Sequence, residues 1–135
     1  MQAIGVIPAR LASTRLKEKS FAGYAYKIKD FKTLDDFKFK DKTVLLRLDL
    51  NSKLSPNFIP TENFSNHLPT LLELKQKQAK IVILTHQDPE TEKLQQHSEY
   101  LSKKLKSEVK CIDNFEEKEI KKLKPGEIII LKNLF

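Results

Sequence analysis

Three polar side chains at every second position follow a short apolar run in the first half of the chain. The run spans residues 44–46, and the polar residues are Arg47, Asp49 and Asn51. Successive side chains of a β-strand alternate between its two faces, so this spacing directs all three to one side. Ligands of open parallel sheets bind beyond the carboxyl ends of the strands, where such a trio suits a phosphate-bearing substrate. The same alternation is typical of an edge strand with one face in water, so the spacing alone leaves both interpretations open.

The elements that would position these side chains alternate between strand and helix patterns. Apolar runs predict strands at residues 43–50, 80–85, 108–112 and 127–131. Apolar residues at helical spacing predict helices at about 63–78, 94–105 and 115–123. Pro69 fits the first helix only near its beginning, and Thr91 is a candidate N-cap for the second. Strands separated by helices form βαβ units, so the sequence predicts an α/β fold with a Rossmann-like, mostly parallel sheet and helices on both faces.

Length and composition predict one soluble domain in a reducing compartment. The 135 residues can bury a single core, and 25 basic against 18 acidic residues give a net charge of +7. Acidic and basic residues are interleaved, which indicates a solvated surface. Nucleic-acid binding is disfavoured because the sequence lacks a platform of basic and aromatic residues. The lone Cys111 cannot form an internal disulfide, which favours the cytoplasm. No apolar run is long enough to cross a membrane, and no pattern indicates an oligomeric state.

Six short segments, in order along the chain, resemble those of one enzyme family. They are residues 33–37, 40–52, 67–70, 85–87, 124–127 and 133–135. From about residue 30 onwards the chain resembles the amino-terminal domain of phosphoglycerate kinase, particularly the archaeal type. The resemblance implies a glycolytic transferase that moves a phosphoryl group between 1,3-bisphosphoglycerate and ADP. In the family, ATP or ADP with Mg²⁺ binds a second lobe, so the resemblance implies no cofactor for this chain.

The resemblance also assigns roles to individual residues. Asp49 and Asn51 match contacts to the hydroxyl and carboxylate of 3-phosphoglycerate, and His86 matches the histidine that follows the second strand. Arg47 matches the arginine that steadies the transferring charge and is the candidate catalytic residue. Asn63 stands where the family has a substrate-binding arginine.

Two further family arginines are absent, one where Asp88 precedes Pro89 and one from the segment 133–135. Each lost charge-assisted contact is worth about 1.5–3 kcal/mol. We therefore expect a truncated 3-phosphoglycerate-binding lobe that is inactive or incomplete alone, and whether the chain is an enzyme stays open. The alternative is a non-catalytic binding or structural module whose partners meet the sheet edge.

The first nineteen residues carry a second resemblance. The run from Ile4 to Arg10, followed by Ser13, Arg15 and Lys19, resembles the opening nucleotide loop of the cytidylyltransferase that activates 3-deoxy-manno-octulosonate. The resemblance implies that Arg10, Ser13, Arg15 and Lys19 face nucleotide phosphates, so a fragment of a CTP-dependent sugar nucleotidyltransferase is a further alternative.

The residues around this leader suggest how the chain is divided. We predict a leader at residues 1–20, a junction at 21–32 and an incomplete kinase-like domain at 33–135. Residues 3–7 also form a good strand pattern that could pair with a sheet edge and end at Pro8.

Overall fold

The computed structural model describes residues 3–6, 33–54, 57–87, 94–112 and 116–131. Within these ranges the strands are β1 (Ala3–Val6), β2 (Thr43–Arg47), β3 (Ser52–Lys53), β4 (Ile59–Pro60), β5 (Lys80–Leu84), β6 (Val109–Ile112) and β7 (Ile128–Leu131). The helices are α1 (Glu62–Asn66), α2 (Leu68–Gln76), α3 (Gln95–Leu105) and α4 (Glu117–Lys121). No helix in these ranges has the length and apolar character needed to cross a membrane.

Five of the strands form one sheet in the order β1-β2-β5-β7-β6, and every neighbouring pair is parallel. Val44 of β2 pairs with Ile81 of β5, which in turn pairs with Ile128 of β7. Strands buried on both faces consist of nearly continuous apolar runs, as these three strands do. The predicted α/β fold with a mostly parallel sheet is confirmed.

Helices cover both faces of this sheet. On one face, Val82 and Ile129 pack against Ile120 and Leu123 from α4 and the turn after it. On the other face α2 packs against β5 and against α3. The chain moves in one direction along the sheet from β2 to β5 and on to β6, and then steps back to β7. Because parallel crossovers are right-handed, this reversal places α4 opposite α2 and α3.

The predicted boundaries of several elements are wrong. The predicted helix at 63–78 is two helices that meet at His67, because Pro69 at the start of α2 has no N–H to donate and its ring would collide with the preceding turn. The strand predicted at 43–50 is a strand only from Thr43 to Arg47. Between the predicted strand and the predicted helix, β3 and β4 form a short antiparallel pair that the sequence pattern did not indicate. The helix expected after Thr91 begins at Gln95 with Leu94 as its N-cap, and Thr91 lies outside the described residues.

The leader contributes an edge strand to the sheet. β1 pairs in parallel with β2, with Ala3 opposite Thr43 and Val6 opposite Leu46, which confirms the predicted pairing of this strand with a sheet edge. The chain forms two compact units, residues 1–8 with 39–135, and residues 9–38. In the described part of the second unit, the Thr33 N–H donates to Asp36 Oδ2 at 2.7 Å across one 3-10 turn. The domain boundaries predicted near residues 20 and 32 fall outside the described ranges.

Candidate functional site

Beyond the end of β2 the side chains keep the alternation that the sequence predicts. Arg47 and Asp49 are exposed and Asn51 is partly exposed, whereas Leu48 and Leu50 are buried. The two leucines therefore hold this segment against the core and leave the polar residues on the outer side. Arg47, Asp49 and Asn51 thus lie at and just beyond the carboxyl end of a parallel strand, where ligands of this fold class bind.

Backbone pairing with the neighbouring strand continues past the last residue of β2. The Leu48 N–H donates to the Leu84 carbonyl at 3.0 Å. The Leu50 N–H donates to the Thr85 hydroxyl Oγ1 at 3.3 Å. A side-chain oxygen replaces a strand carbonyl at this second step, so the segment remains tied to β5 although it is no longer a strand.

Asp49 is the centre of a polar cluster. Its carboxylate accepts hydrogen bonds from the Asn51 N–H at Oδ1 and from Asn63 Nδ2 at Oδ2, both at 3.2 Å. Its own N–H donates to His67 Nε2 at 3.3 Å. Thr61, which caps α1, donates from Oγ1 to the Asn51 carbonyl at 3.1 Å. The loop after β2 is therefore bound to the start of α1 and to the α1–α2 junction.

The Asp49 carboxylate accepts hydrogen bonds that stabilise the loop, and it can accept further ones from a ligand. Its Oδ1 accepts a hydrogen bond from the Asn51 N–H, which is a local contact with the backbone. Aspartates in loops often make such contacts for structural reasons alone, without binding a ligand. An ionised carboxylate offers about four lone-pair sites on its two oxygens. Only two of these sites are used in the hydrogen bonds above and the side chain is exposed, so Asp49 can still accept a hydrogen bond from a ligand hydroxyl.

His67 takes part in this cluster as a neutral imidazole. Its Nε2 accepts from the Asp49 N–H, so the ring proton is on Nδ1. Burial lowers the pKa of His67, and this effect exceeds the opposing attraction of the Asp49 carboxylate. In the sequence, His67 is only part of a family motif at residues 67–70. Its contact with Asp49 spans 18 residues, and no local pattern could have indicated it.

Arg47 and His86 reach the same edge of the sheet from neighbouring strands. Arg47 ends β2 opposite Leu84, the last residue of β5, and His86 follows Leu84 by two residues. Arg47 is exposed and His86 is partly buried.

The structure therefore brings Arg47, Asp49, Asn51, Asn63 and His86 to one end of the β2–β5 pair. Asp88, Asn133 and the leader residues Arg10, Ser13, Arg15 and Lys19 lie outside the described residues. Within the described ranges, no group of three or more His, Cys, Asp or Glu side chains could hold a metal ion.

Comparison with known proteins assigns the family. The family model for phosphoglycerate kinase matches residues 34–135. The chain belongs to the phosphoglycerate kinase family. Similar proteins include phosphoglycerate kinases of Methanobacterium bryantii, 39% identical over 115 residues, and Methanopyrus kandleri, 37% identical over 117 residues. The phosphoglycerate kinase of Thermococcus onnurineus is 41% identical over 110 residues.

These matches cover most of this chain and a minor part of each relative. They include 75–77% of this chain and only 27–28% of the three kinases. The solved structure of phosphoglycerate kinase from Coxiella burnetii superimposes on this chain with a TM-score of 0.66 at 24% sequence identity. The superimposed region is 77% of this chain and 28% of the Coxiella burnetii chain. The resemblance to archaeal phosphoglycerate kinases is confirmed, and strand β1 lies outside the matched residues.

Proposed function

We propose that residues 34–135 form the 3-phosphoglycerate-binding lobe of a phosphoglycerate kinase. The observation that carries this proposal is the placement of Asp49 and Asn51 on the outer side of the loop after β2, beside the end of β5 that leads to His86. These are the positions to which the family resemblance assigns substrate contacts. Their position at the carboxyl end of parallel strands agrees with the general location of ligands in such sheets.

The chemistry of the cluster suits a small hydroxylated anion. Asp49 would accept a hydrogen bond from the substrate hydroxyl, and the Asn51 amide would contact the carboxylate. Arg47 would meet a phosphoryl group, because a planar guanidinium can donate two parallel hydrogen bonds to its oxygens. In the proposed reaction ATP or ADP with Mg²⁺ is held by a second lobe, and phosphoryl transfer needs both lobes to align the reactants.

The site should bind weakly because three arginines of the family pattern are absent from the sequence. Asn63 occupies a family arginine position and donates to Asp49 rather than offering a positive charge to a ligand. We therefore expect millimolar affinity for 3-phosphoglycerate and no ATP turnover by the 135-residue chain alone.

A titration of the 15N-labelled chain with 3-phosphoglycerate tests the proposal. The amide signals of Asn51, Ser52 and His86 should shift and saturate, and Asp49→Ala should weaken the binding. Glu62→Ala, an exposed carboxylate at the start of α1, is the matched control and should leave the affinity unchanged. Equal shifts with inorganic phosphate, or equal affinity of Asp49→Ala, would contradict a substrate site.

The second candidate function is a non-catalytic binding or structural module. It is favoured by the bonds from Asn51 and Asn63 to the Asp49 carboxylate, since both hold the loop rather than a ligand. Absence of saturable 3-phosphoglycerate binding would leave this candidate in place. Saturable CTP binding would instead support the nucleotidyltransferase alternative for the leader.

We also propose a cytoplasmic location, supported by the lone thiol of Cys111.

A further inference from the structure

One buried side chain bonds both backbone polar atoms of Ser52, the first residue of β3, which directly follows the loop that carries the candidate site. The Ser52 N–H donates to Gln87 Oε1 at 2.9 Å, and Gln87 Nε2 donates to the Ser52 carbonyl at 3.0 Å. The amide side chain thus pairs with Ser52 as a neighbouring strand would. Ser52 is 9% and Gln87 1% exposed, so water offers little competition for these bonds.

A histidine from α3 completes the arrangement. His97 Nε2 lies 2.6 Å from Gln87 Oε1. The two bonds to Ser52 fix which end of the Gln87 amide is oxygen, and an oxygen can only accept. His97 therefore carries its proton on Nε2 and donates it to Gln87.

Aromatic rings hold His97 in this position. The ring centroids of Phe58 and Phe64 lie 5.1 Å and 6.0 Å from that of His97, and Tyr100 packs edge-on against Phe64. The histidine is fully buried, and burial lowers its pKa to about 4 against a weaker backbone interaction with Leu50 that raises it. The imidazole is thus neutral near pH 7.

We propose that Gln87 and His97 form a clasp, defined as the hydrogen-bonded chain from His97 through Gln87 to Ser52, that positions Asp49 and Asn51 for the ligand. Both are positioning residues, and this inference rests on the proposed function. The clasp holds the Ser52 backbone beside the end of β5, just as the Thr85 hydroxyl holds the Leu50 backbone, and the side chains of Leu50 and Ser52 are buried. With residues 50 and 52 fixed inward, the alternation of an extended chain turns residues 49 and 51 outward.

The clasp lowers the cost of binding because the loop is ordered before the ligand arrives. Fixing backbone dihedrals on binding reduces affinity, and a loop already held in its bound conformation avoids that loss. A buried amide also keeps its pairing more firmly than an exposed one. Affinity for 3-phosphoglycerate should therefore depend on two side chains that do not touch it.

Substitutions that keep shape and remove hydrogen bonds test this inference. Gln87→Met removes the bonds to Ser52, and Gln76→Met, at an exposed position of α2, is its matched control. His97→Phe keeps a ring among Phe58 and Phe64 but removes the donor, whereas His97→Gln can restore one. Amide hydrogen exchange, 3-phosphoglycerate affinity and thermal unfolding are measured for each variant of the full chain.

In Gln87→Met we expect amide exchange at Leu50 and Ser52 to accelerate and the affinity for 3-phosphoglycerate to fall about tenfold, a loss typical of buried hydrogen bonds. Exchange at the core residue Ile83 should stay slow, which separates loss of the clasp from general unfolding. His97→Phe should lower affinity about fivefold, and His97→Gln should recover part of that loss.

The outcomes separate this inference from the proposed function. If the parent chain binds 3-phosphoglycerate and Gln87→Met binds it equally well, the clasp does not position the site. Unchanged exchange at Ser52 in Gln87→Met would overturn the clasp directly. If the parent chain does not bind 3-phosphoglycerate, the proposed function fails and the inference fails with it. Loss of affinity in Gln76→Met equal to that in Gln87→Met would also reject it.

Discussion

Replacing Asn63 by arginine should strengthen the binding of 3-phosphoglycerate. Asn63 lies on α1 with its side chain exposed, and its amide donates to Asp49 Oδ2 at 3.2 Å. A guanidinium at this position would lie beside the carboxylate that frames the ligand. The family resemblance places an arginine there, so Asn63→Arg restores a positive charge where the anion is expected to bind.

The magnitude follows from two opposing contributions. A charge-assisted hydrogen bond contributes about 1.5–3 kcal/mol, and solvent exposure of residue 63 reduces this towards the lower value. Loss of the Asn63–Asp49 hydrogen bond costs about 0.5 kcal/mol, because the new guanidinium also donates to Asp49. The net gain is about 1–2 kcal/mol, which is about a 5- to 30-fold lower Kd.

Isothermal calorimetry at two salt concentrations measures this gain. Ser65→Arg is the control, because Ser65 is exposed and two residues along a helix turns its side chain to nearly the opposite face of α1. Both variants add the same charge, and only Asn63→Arg places it beside Asp49. If the two variants bind 3-phosphoglycerate with equal affinity, the retained polar residues do not frame an anion site.

Three further predictions concern stability and nucleotide binding. Gly5→Val should raise the free energy of unfolding by about 0.5–1 kcal/mol in urea denaturation, because a Cβ at Gly5 meets no atom within 4 Å and would lie beside Leu45, whereas Gly5→Pro should lower it. Acid should destabilise the chain through His97: the unfolded state binds its proton below about pH 6.5 and the folded state only near pH 4, so about 3 kcal/mol of stability is lost between these values, and His97→Phe should remove that part of the pH dependence. Calorimetry with ADP or ATP should show no saturable binding to the 135-residue chain, and micromolar binding of either would contradict the proposal of a single substrate lobe.

The sheet and the outward side chains of the site could be predicted because their signals are local. Apolar runs define strands, and the alternation from Arg47 to Asn51 follows directly from strand geometry. The loss of regular strand after Arg47 could not be predicted in the same way. The segment remains bound to β5 through the Thr85 hydroxyl, and a periodicity pattern does not distinguish a carbonyl acceptor from a side-chain one.

The supporting residues of the site could not be predicted because their roles depend on tertiary packing. Gln87 reaches Ser52 across 35 residues, and His97 sits at an inward position of an amphipathic helix where an aliphatic residue is equally compatible. The position of His67 follows from Pro69, which divides the predicted helix in two. Pro69 is a helix-start signal in the sequence, but its effect on His67 and Asp49 depends on the fold.

The pairing of β1 with β2 also determines an order of events during synthesis and folding. Ala3 is translated 40 residues before its partner Thr43, and a parallel pair needs a long crossover before it can close. β1 lies at the sheet edge and has one neighbouring strand, whereas β2 and β5 each have two, so the central strands should assemble before β1 docks. Contacts made after the folding transition state affect the unfolding rate rather than the folding rate. β1 would then be translated before β2 but dock after it, and a better-packed β1 would lengthen the lifetime of the native state without hastening its formation.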